Sequence, residues 1–239
     1  MTEQDKQTLR QGLERLGVTY PPQAVEQLAL YCTRLLEKNQ VMNLTAITDP
    51  AEVITRHFLD SAALLPTRAL SGRRVIDVGT GGGFPGLVLR LLDPTIRLTL
   101  LDSLGKRIDW LTELCQELDL PDVVLHKGRA EELSRRKEHR EQYDVAVSRA
   151  VAPMAMLAEL CLPYVKPGGV FLAMKSNKTD EEIQEAEERI LALGGEKPFV
   201  MDYLLPGTEV YHRIVTVFKG RNTPSSYPRK WTKIKEGKV

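Results

Sequence analysis

A chain of 239 residues with 42% hydrophobic and 27% charged side chains has the composition of an ordinary globular protein, long enough to bury its own core. Basic residues exceed acidic ones by a single charge, which excludes binding to a polyanion through overall charge but leaves room for a local basic patch. Cys32, Cys115 and Cys161 form no C-x-x-C pair, the opening segment is polar, and no apolar run is long enough to cross a bilayer. A reducing, cytoplasmic setting with no thiolate zinc site and no membrane is therefore expected.

The first third reads as helical. Leu9, Leu13 and Leu16 recur at helical spacing over 3–16, and Val25, Leu28, Cys32, Leu35 and Leu36 over 22–38. Asp49-Pro50-Ala51-Glu52 carries a helix start: an Asp cap, a Pro at the first helical position, and a Glu placed to reach back as a capping box. That helix is expected to run to about Leu65. None of these helices looks self-sufficient, so residues 1–70 are read as a helical cap on a larger domain. From residue 73 short apolar runs alternate with helical patterns. Strands are expected at 74–78, 97–101, 123–126, 143–148, 169–174 and 213–218, and helices at 84–92, 104–118, 129–138, 152–164 and 179–193. The alternation predicts an α/β domain over 71–220, with a mostly parallel sheet covered by helices on both faces. Charges of both signs crowd Glu131–Gln142, which reads as a solvated helix face and loop. From Lys219 onward seven basic residues face one acid, Glu236, with Tyr227 and Trp231 among them. Residues 221–239 are read as a basic tail, either a frayed terminus or an arm that contacts phosphates and stacks on bases.

The strongest local signal is VIDVGTGGGFPG at 75–86, a strand running into glycines and then a helix. A dinucleotide fingerprint begun at Gly79 fails at its third glycine, which falls on Phe84, and GGGFPG at 81–86 starts two residues late. The better match is D-x-G-x-G-x-G: Asp77, Gly79, Gly81 and Gly83. An acid beside such a loop repels a pyrophosphate but suits a ligand bearing an ammonium and a sulfonium, as S-adenosylmethionine does. Asp102 closes the next strand, where a carboxylate can accept from both ribose hydroxyls. Glu131 follows the third strand, a natural place to read adenine. Each has a plainer alternative: a helix cap for Asp102, an exposed helix residue for Glu131.

DVGTGGGFPG, SRAVAP at 148–153, NLTAI at 43–47, RHFLDS at 56–61 and YPR near the C-terminus together resemble the glucose-inhibited division protein B family. Its members are bacterial small-subunit ribosomal RNA guanine-N7 methyltransferases. The similarity covers nearly the whole chain, with one departure: after YPR this sequence reads KWTKIKEGKV, where the family often has a small Gly- and Pro-containing stretch. The resemblance implies a Rossmann-like class I methyltransferase fold with S-adenosylmethionine as cofactor. Gly79 and Phe84 would line it, Asp102 and Ser103 hold its ribose, and Ala130 and Glu131 sit at its adenine. Arg149 of SRA would face the methyl end and the target base as the catalytic residue. Guanine N7 carries a lone pair and no proton at neutral pH, so it can attack the sulfonium methyl in line, without general base, metal or covalent nucleophile. In keeping with this, His57, His126, His139 and His212 form no metal-spaced cluster, and His57 reads as a packing or capping residue. Arg129, Lys175, Arg229 and Lys230 are the expected RNA contacts, with the guanine splayed out of the RNA. The expected partner is ribosomal RNA, within the small subunit, for a monomer that binds neither DNA nor membrane. A methyltransferase with a small-molecule or protein acceptor, and a non-catalytic RNA-binding assembly factor, are the alternatives.

Overall fold

A computed structural model describes residues 1–149 and 152–236. Ala150 and Val151 of SRAVAP, and Lys238 of the tail, lie outside the described residues. The strands are β1 (Arg74–Val78), β2 (Arg97–Asp102), β3 (Val124–Lys127), β4 (Tyr143–Arg149), β5 (Val165–Ser176), β6 (Phe199–Leu204) and β7 (Tyr211–Phe218). They form one sheet in the order β3-β2-β1-β4-β5-β7-β6. The first five in that order are parallel, and β7 lies antiparallel between β5 and β6. Six strands fall where the apolar runs place them. β6 has no counterpart in the sequence reading, because an edge strand with mostly exposed side chains, Phe199 at 62% among them, has no buried face to write a period.

Successive residues of the central strands feed opposite faces. Val75 joins a cluster with Leu98, Leu100, Trp110 and Leu111, while Ile76 joins Ala146, Phe171, Met154 and Ile190 on the other side. The first cluster also takes Leu9 and Leu13 of α1 (Glu3–Arg15), Leu28 and Leu35 of α2 (Ala24–Met42), and Phe58. The N-terminal helices thus bury their apolar stripes in the same core as the sheet. The α2 helix ends at Asn43 in the left-handed conformation, and Asn39 grips Thr45 by both backbone groups (2.9 Å each).

Three expectations need correction. Asp49 does cap Glu52 N (3.2 Å), but Glu52 turns to Arg56 (3.7 Å) rather than completing a capping box. The helix expected to reach Leu65 is also broken into α3 (Pro50–Val53), a π-helical turn at Ile54–Leu59 and α4 (Asp60–Ala62). Second, the helix expected at 129–138 shrinks to α7 (Ala130–Leu133), and the charged segment after it is not merely solvated. Arg135 donates to the carbonyls of Ser226 and Pro228, and Arg140 to those of Thr223 (2.7 Å) and Tyr227 (3.0 Å). Glu141 accepts from Thr223 N (2.7 Å) and Asn222 Nδ2 (2.6 Å). Third, these bonds dock the tail. Lys219 is buried among the carbonyls of Leu162 and Val165, and beyond α8 (Met154–Cys161) and α9 (Asp180–Ala192) the short α10 (Trp231–Lys235) seats Ile234 in the second core.

The glycine loop is fastened from beneath. Asp77 is fully buried, and its Oδ2 accepts from Thr80 Oγ1 and from the backbone of Gly86, both at 2.8 Å. Gly86 opens α5 (Gly86–Leu92), two residues later than the apolar pattern suggests, since Gly83 N and Phe84 N both turn back to Thr80 O (2.9 Å). A Cβ at Gly86 would stand 2.8 Å from Asp77 Oδ2 and 2.9 Å from Leu100 Cδ2. Gly86→Ala is therefore expected to destabilise the protein by about 1–3 kcal/mol in urea unfolding. Burial raises the Asp77 carboxyl from 3.8 to about 6, the two hydrogen bonds offsetting only part of the cost. A carboxyl raised on folding favours the folded state while protonated, fully so below about pH 4, and that contribution is lost as pH climbs through about 6. Relative to Asp77→Asn, the wild-type protein should lose about 3 kcal/mol of unfolding free energy across that window. Urea titrations of both proteins at stepped pH measure it.

Candidate active site at the sheet switch point

Strand order reverses between β1 and β4, and the crevice opens at their carboxyl ends. A cavity of about 390 Å³ lies there, walled by Gly79 to Gly82, Phe84, Asp102, Ser103, Arg107 and Arg149, with Thr45 and His57 from the N-terminal segment. Gly79, Asp102 and Ser103 also wall a second cavity of about 120 Å³, completed by Arg129, Ala130, Glu131, Leu160 and Trp231. His57 and Arg149 in turn wall a third of about 420 Å³, which runs past Asp60, Lys175, Glu182 and His212. A larger hollow of about 670 Å³, between Gly17–Pro21 and Leu92–Thr95, holds none of the expected residues.

Gly79, Gly81, Phe84, Asp102, Ser103, Ala130, Glu131 and Arg149 thus line one chain of connected cavities. Asp77 does not; it is fully buried beneath the loop, where Oδ2 accepts from Thr80 and Gly86 and Oδ1 has no hydrogen-bond partner, so its expected place among the cofactor contacts is corrected to that of a fastening under the loop. Asp102 supports the start of the next helix and also lines the cavity. Its Oδ1 accepts from Leu104 N (2.9 Å) at the start of α6 (Gly105–Glu117), and its Oδ2 from Gly81 N (2.9 Å) and Arg107 (3.3 Å), while the side chain still faces the cavity. An ionised carboxylate offers about four lone-pair sites, so capacity for a further donor remains. Glu131 is buried in the wall rather than exposed, and accepts from Arg129 Nε at 3.0 Å.

Arg149 ends β4 within a tight polar network. Nη1 donates to Arg56 O (3.1 Å) and Asp60 Oδ2 (3.0 Å), Nη2 donates to His57 Nδ1 (3.1 Å), and the guanidinium lies 5.0 Å over the Phe84 ring. Asp60, 3% exposed, also pairs through Oδ1 with the hydroxyl of Tyr203 (2.6 Å) and Nδ1 of His212 (2.7 Å). Burial pushes the Asp60 carboxyl up, but the His212 bond, the Arg149 charge and the Tyr203 bond outweigh it and hold it below its ordinary value. His57 is driven down to about 3, by burial first and then by the Arg149 charge, so its imidazole is neutral. Nδ1 lies 3.1 Å from both Arg149 Nη2 and Arg56 O, and Nε2 lies 2.8 Å from Thr45 Oγ1. The ring stacks on Phe84 (4.5 Å), which stacks on Tyr31 (5.3 Å), whose hydroxyl donates to Gly82 O.

The expected RNA contacts separate. Arg229 is corrected to a structural strut: it turns inward onto Glu159, a fully buried carboxylate that Arg189 also grips. Lys175 is paired with Glu182 (2.5 Å) at the third cavity. Arg129 lies 4.3 Å over the Trp231 ring, and Lys230 is exposed. Sequence reasoning missed Asp60, Thr45, Tyr203 and His212, and it read Trp231 as part of a tail rather than of a cavity wall. Asp60 and Thr45 sit in RHFLDS and NLTAI, segments that stood out for resemblance alone, whereas Tyr203 belongs to the strand that wrote no period.

The donor set decides what kind of nucleotide fits. Gly79 N and Thr80 N are bonded to Leu101 O (2.9 and 3.0 Å), Gly81 N to Asp102, Gly83 N and Phe84 N to Thr80 O, and Gly86 N to Asp77. A phosphate cradle needs such groups pointing at the ligand. Here they are turned inward, and the Asp102 carboxylate stands in the wall. A nucleoside without phosphate fits these residues; a pyrophosphate does not. Among the described residues no group of acids, histidines or cysteines could hold a metal, and no helix is long and apolar enough to cross a membrane.

The solved structures this fold resembles include an O-methyltransferase from Bacillus cereus in complex with SAH (TM-score 0.54, 22% identity, 79% of this chain and 90% of that one). A methyltransferase from Pyrococcus furiosus is similar too (TM-score 0.53, 15% identity, 79% and 98%). The fold is thus the Rossmann-like methyltransferase fold. In sequence, the ribosomal RNA small subunit methyltransferase G of Alkaliphilus metalliredigens is 45% identical over 228 residues, 95% of either chain. That of Bacillus pumilus is 41% identical over 220 residues, 92% of either. The family model described as rRNA small subunit methyltransferase G matches residues 24–208, glycine loop, Arg149 and β6 alike. Fold, loop chemistry and kinship therefore converge, and this chain belongs to the rRNA small subunit methyltransferase G family.

Proposed function

We propose that this protein transfers a methyl group from S-adenosylmethionine to N7 of a guanine in small-subunit ribosomal RNA. The observation that carries the reading is that His57 and Arg149 line both the cleft of the glycine loop and the third cavity, so that the two adjoin at these residues. The cofactor, bound in the first two cavities, supplies a methyl on a positively charged sulfur. Glu131 and Ala130 read its adenine, Asp102 and Ser103 its ribose, and Gly79, Gly81 and Phe84 shape the loop side. The third cavity takes the guanine. Arginine is the side chain whose fork matches the O6/N7 edge of guanine, and Arg149's bonds to Arg56, Asp60 and His57 use three of its five N–H donors. N7 has no proton to lose, so the acceptor needs no base, and neutral His57 serves as a stacked spacer on Phe84.

Exposed Lys230 and Lys233 on the tail, and half-open Arg56 at the rim of the third cavity, supply phosphate contacts. Arg129 and Lys175, held by Glu131 and Glu182, set the electrostatics of the cavities they line. In this reading residues 1–70 cap the cleft, 71–220 form the methyltransferase domain and 221–239 the basic tail. In the same reading it acts in the cytoplasm as a monomer.

Incubation with methyl-labelled cofactor and small subunits or their RNA tests the proposal. Label is expected at guanine N7 and should drop about 100-fold with Arg149→Ala, as misplacement of reacting groups typically costs. Absence of label at any guanine N7 rejects it. Gly79 has φ +77°, a conformation β-branched side chains rarely adopt, and it lines both cofactor cavities. Gly79→Val is expected to weaken binding of S-adenosylhomocysteine by about tenfold or more in calorimetry.

A further inference from the structure

We propose that Trp231, delivered by the docked C-terminal segment, is a cofactor-binding residue whose indole forms the outer wall of the adenine end of the cleft. The inference rests on the cofactor reading above and extends it to a part of the chain outside the parallel sheet. Trp231 walls the second cavity together with Ala130, Glu131 and Leu160. Its orientation is held rather than loose. The Arg129 guanidinium lies 4.3 Å from the ring centroid, and Arg129 is itself fixed by Glu131 at 3.0 Å. Three residues on, Ile234 is 2% exposed in the second core. Two residues back, Arg229 is bonded to buried Glu159 through both its backbone and its side chain.

The helix that presents the indole is thus pinned on both sides, yet the indole is 37% exposed. A large aromatic ring, anchored at its flanks and left open toward a small cavity of mainly apolar lining, has the form of a stacking platform. Glu131 in the same wall offers a carboxylate to an exocyclic amine. Adenine presents both features, a flat face for the indole and an amino group for the acid. The methionine end of the cofactor presents neither.

Two tryptophans occur in the chain, and the other, Trp110, is buried in the first core. Trp110→Phe therefore leaves Trp231 as the sole indole reporter. Titrating that variant with S-adenosylhomocysteine is expected to change its emission saturably, with the Kd that calorimetry gives. Trp231→Ala should raise the Kd for S-adenosylhomocysteine about tenfold, Trp231→Phe should restore most of the affinity, and adenosine alone should lose a similar factor. Unchanged affinity in Trp231→Ala, or emission from Trp231 that ignores the ligand while calorimetry records binding, overturns the inference and leaves the cofactor reading standing. Failure of the wild-type protein to bind S-adenosylhomocysteine overturns both.

Discussion

Burying a carboxylate is costly unless charged and hydrogen-bonding partners surround it, and the Asp60 side chain meets that condition at the junction of helices and sheet. Arg149 from β4, Tyr203 from β6 and His212 from β7 converge on it from three strands, while Asp60 itself comes from the helical segment before the sheet. One carboxylate thereby ties the N-terminal helices to the parallel strands and to the antiparallel edge. It also fixes the guanidinium that walls two cavities. Arg149 could not hold that place on its own; a long cationic side chain has many rotamers, and Asp60, Arg56 O and His57 select one of them.

The glycine loop shows how the same backbone motif can serve different ligands. Glycines permit the turn, but what the loop binds depends on where its N–H groups point. Asp77 and Asp102 and the Leu101 carbonyl absorb most of them from inside. The acid before the loop, which the sequence suggested as a ligand contact, thus acts indirectly. By consuming a donor at the helix start it removes the very group a phosphate would use, and the exclusion of phosphate follows from bonding within the loop as much as from charge repulsion.

How far the sequence could be read depended on whether a residue's role is local. The parallel strands are buried on both faces and appear as unbroken apolar runs, so their positions and the cleft at their ends were legible, with Gly79, Asp102 and Glu131 beside it, whereas Arg149 was singled out by resemblance alone. Asp60, Tyr203 and His212 are separated by up to 152 residues and are polar for reasons visible only once they meet. The charged stretch after α7 misled for a related reason: Arg135 and Arg140 look solvated in sequence, but their partners are backbone carbonyls of a distant segment, which leave no mark in side-chain patterning. Arg229 and Lys219, counted with a basic arm, are consumed by interior acceptors in the same way.

The second cavity draws one wall from Gly79 and another from Trp231, so its two sides are laid down far apart in the order of synthesis. A nascent chain holds the glycine bend well before the indole is made, and until α10 docks, that side of the cavity stays open to water.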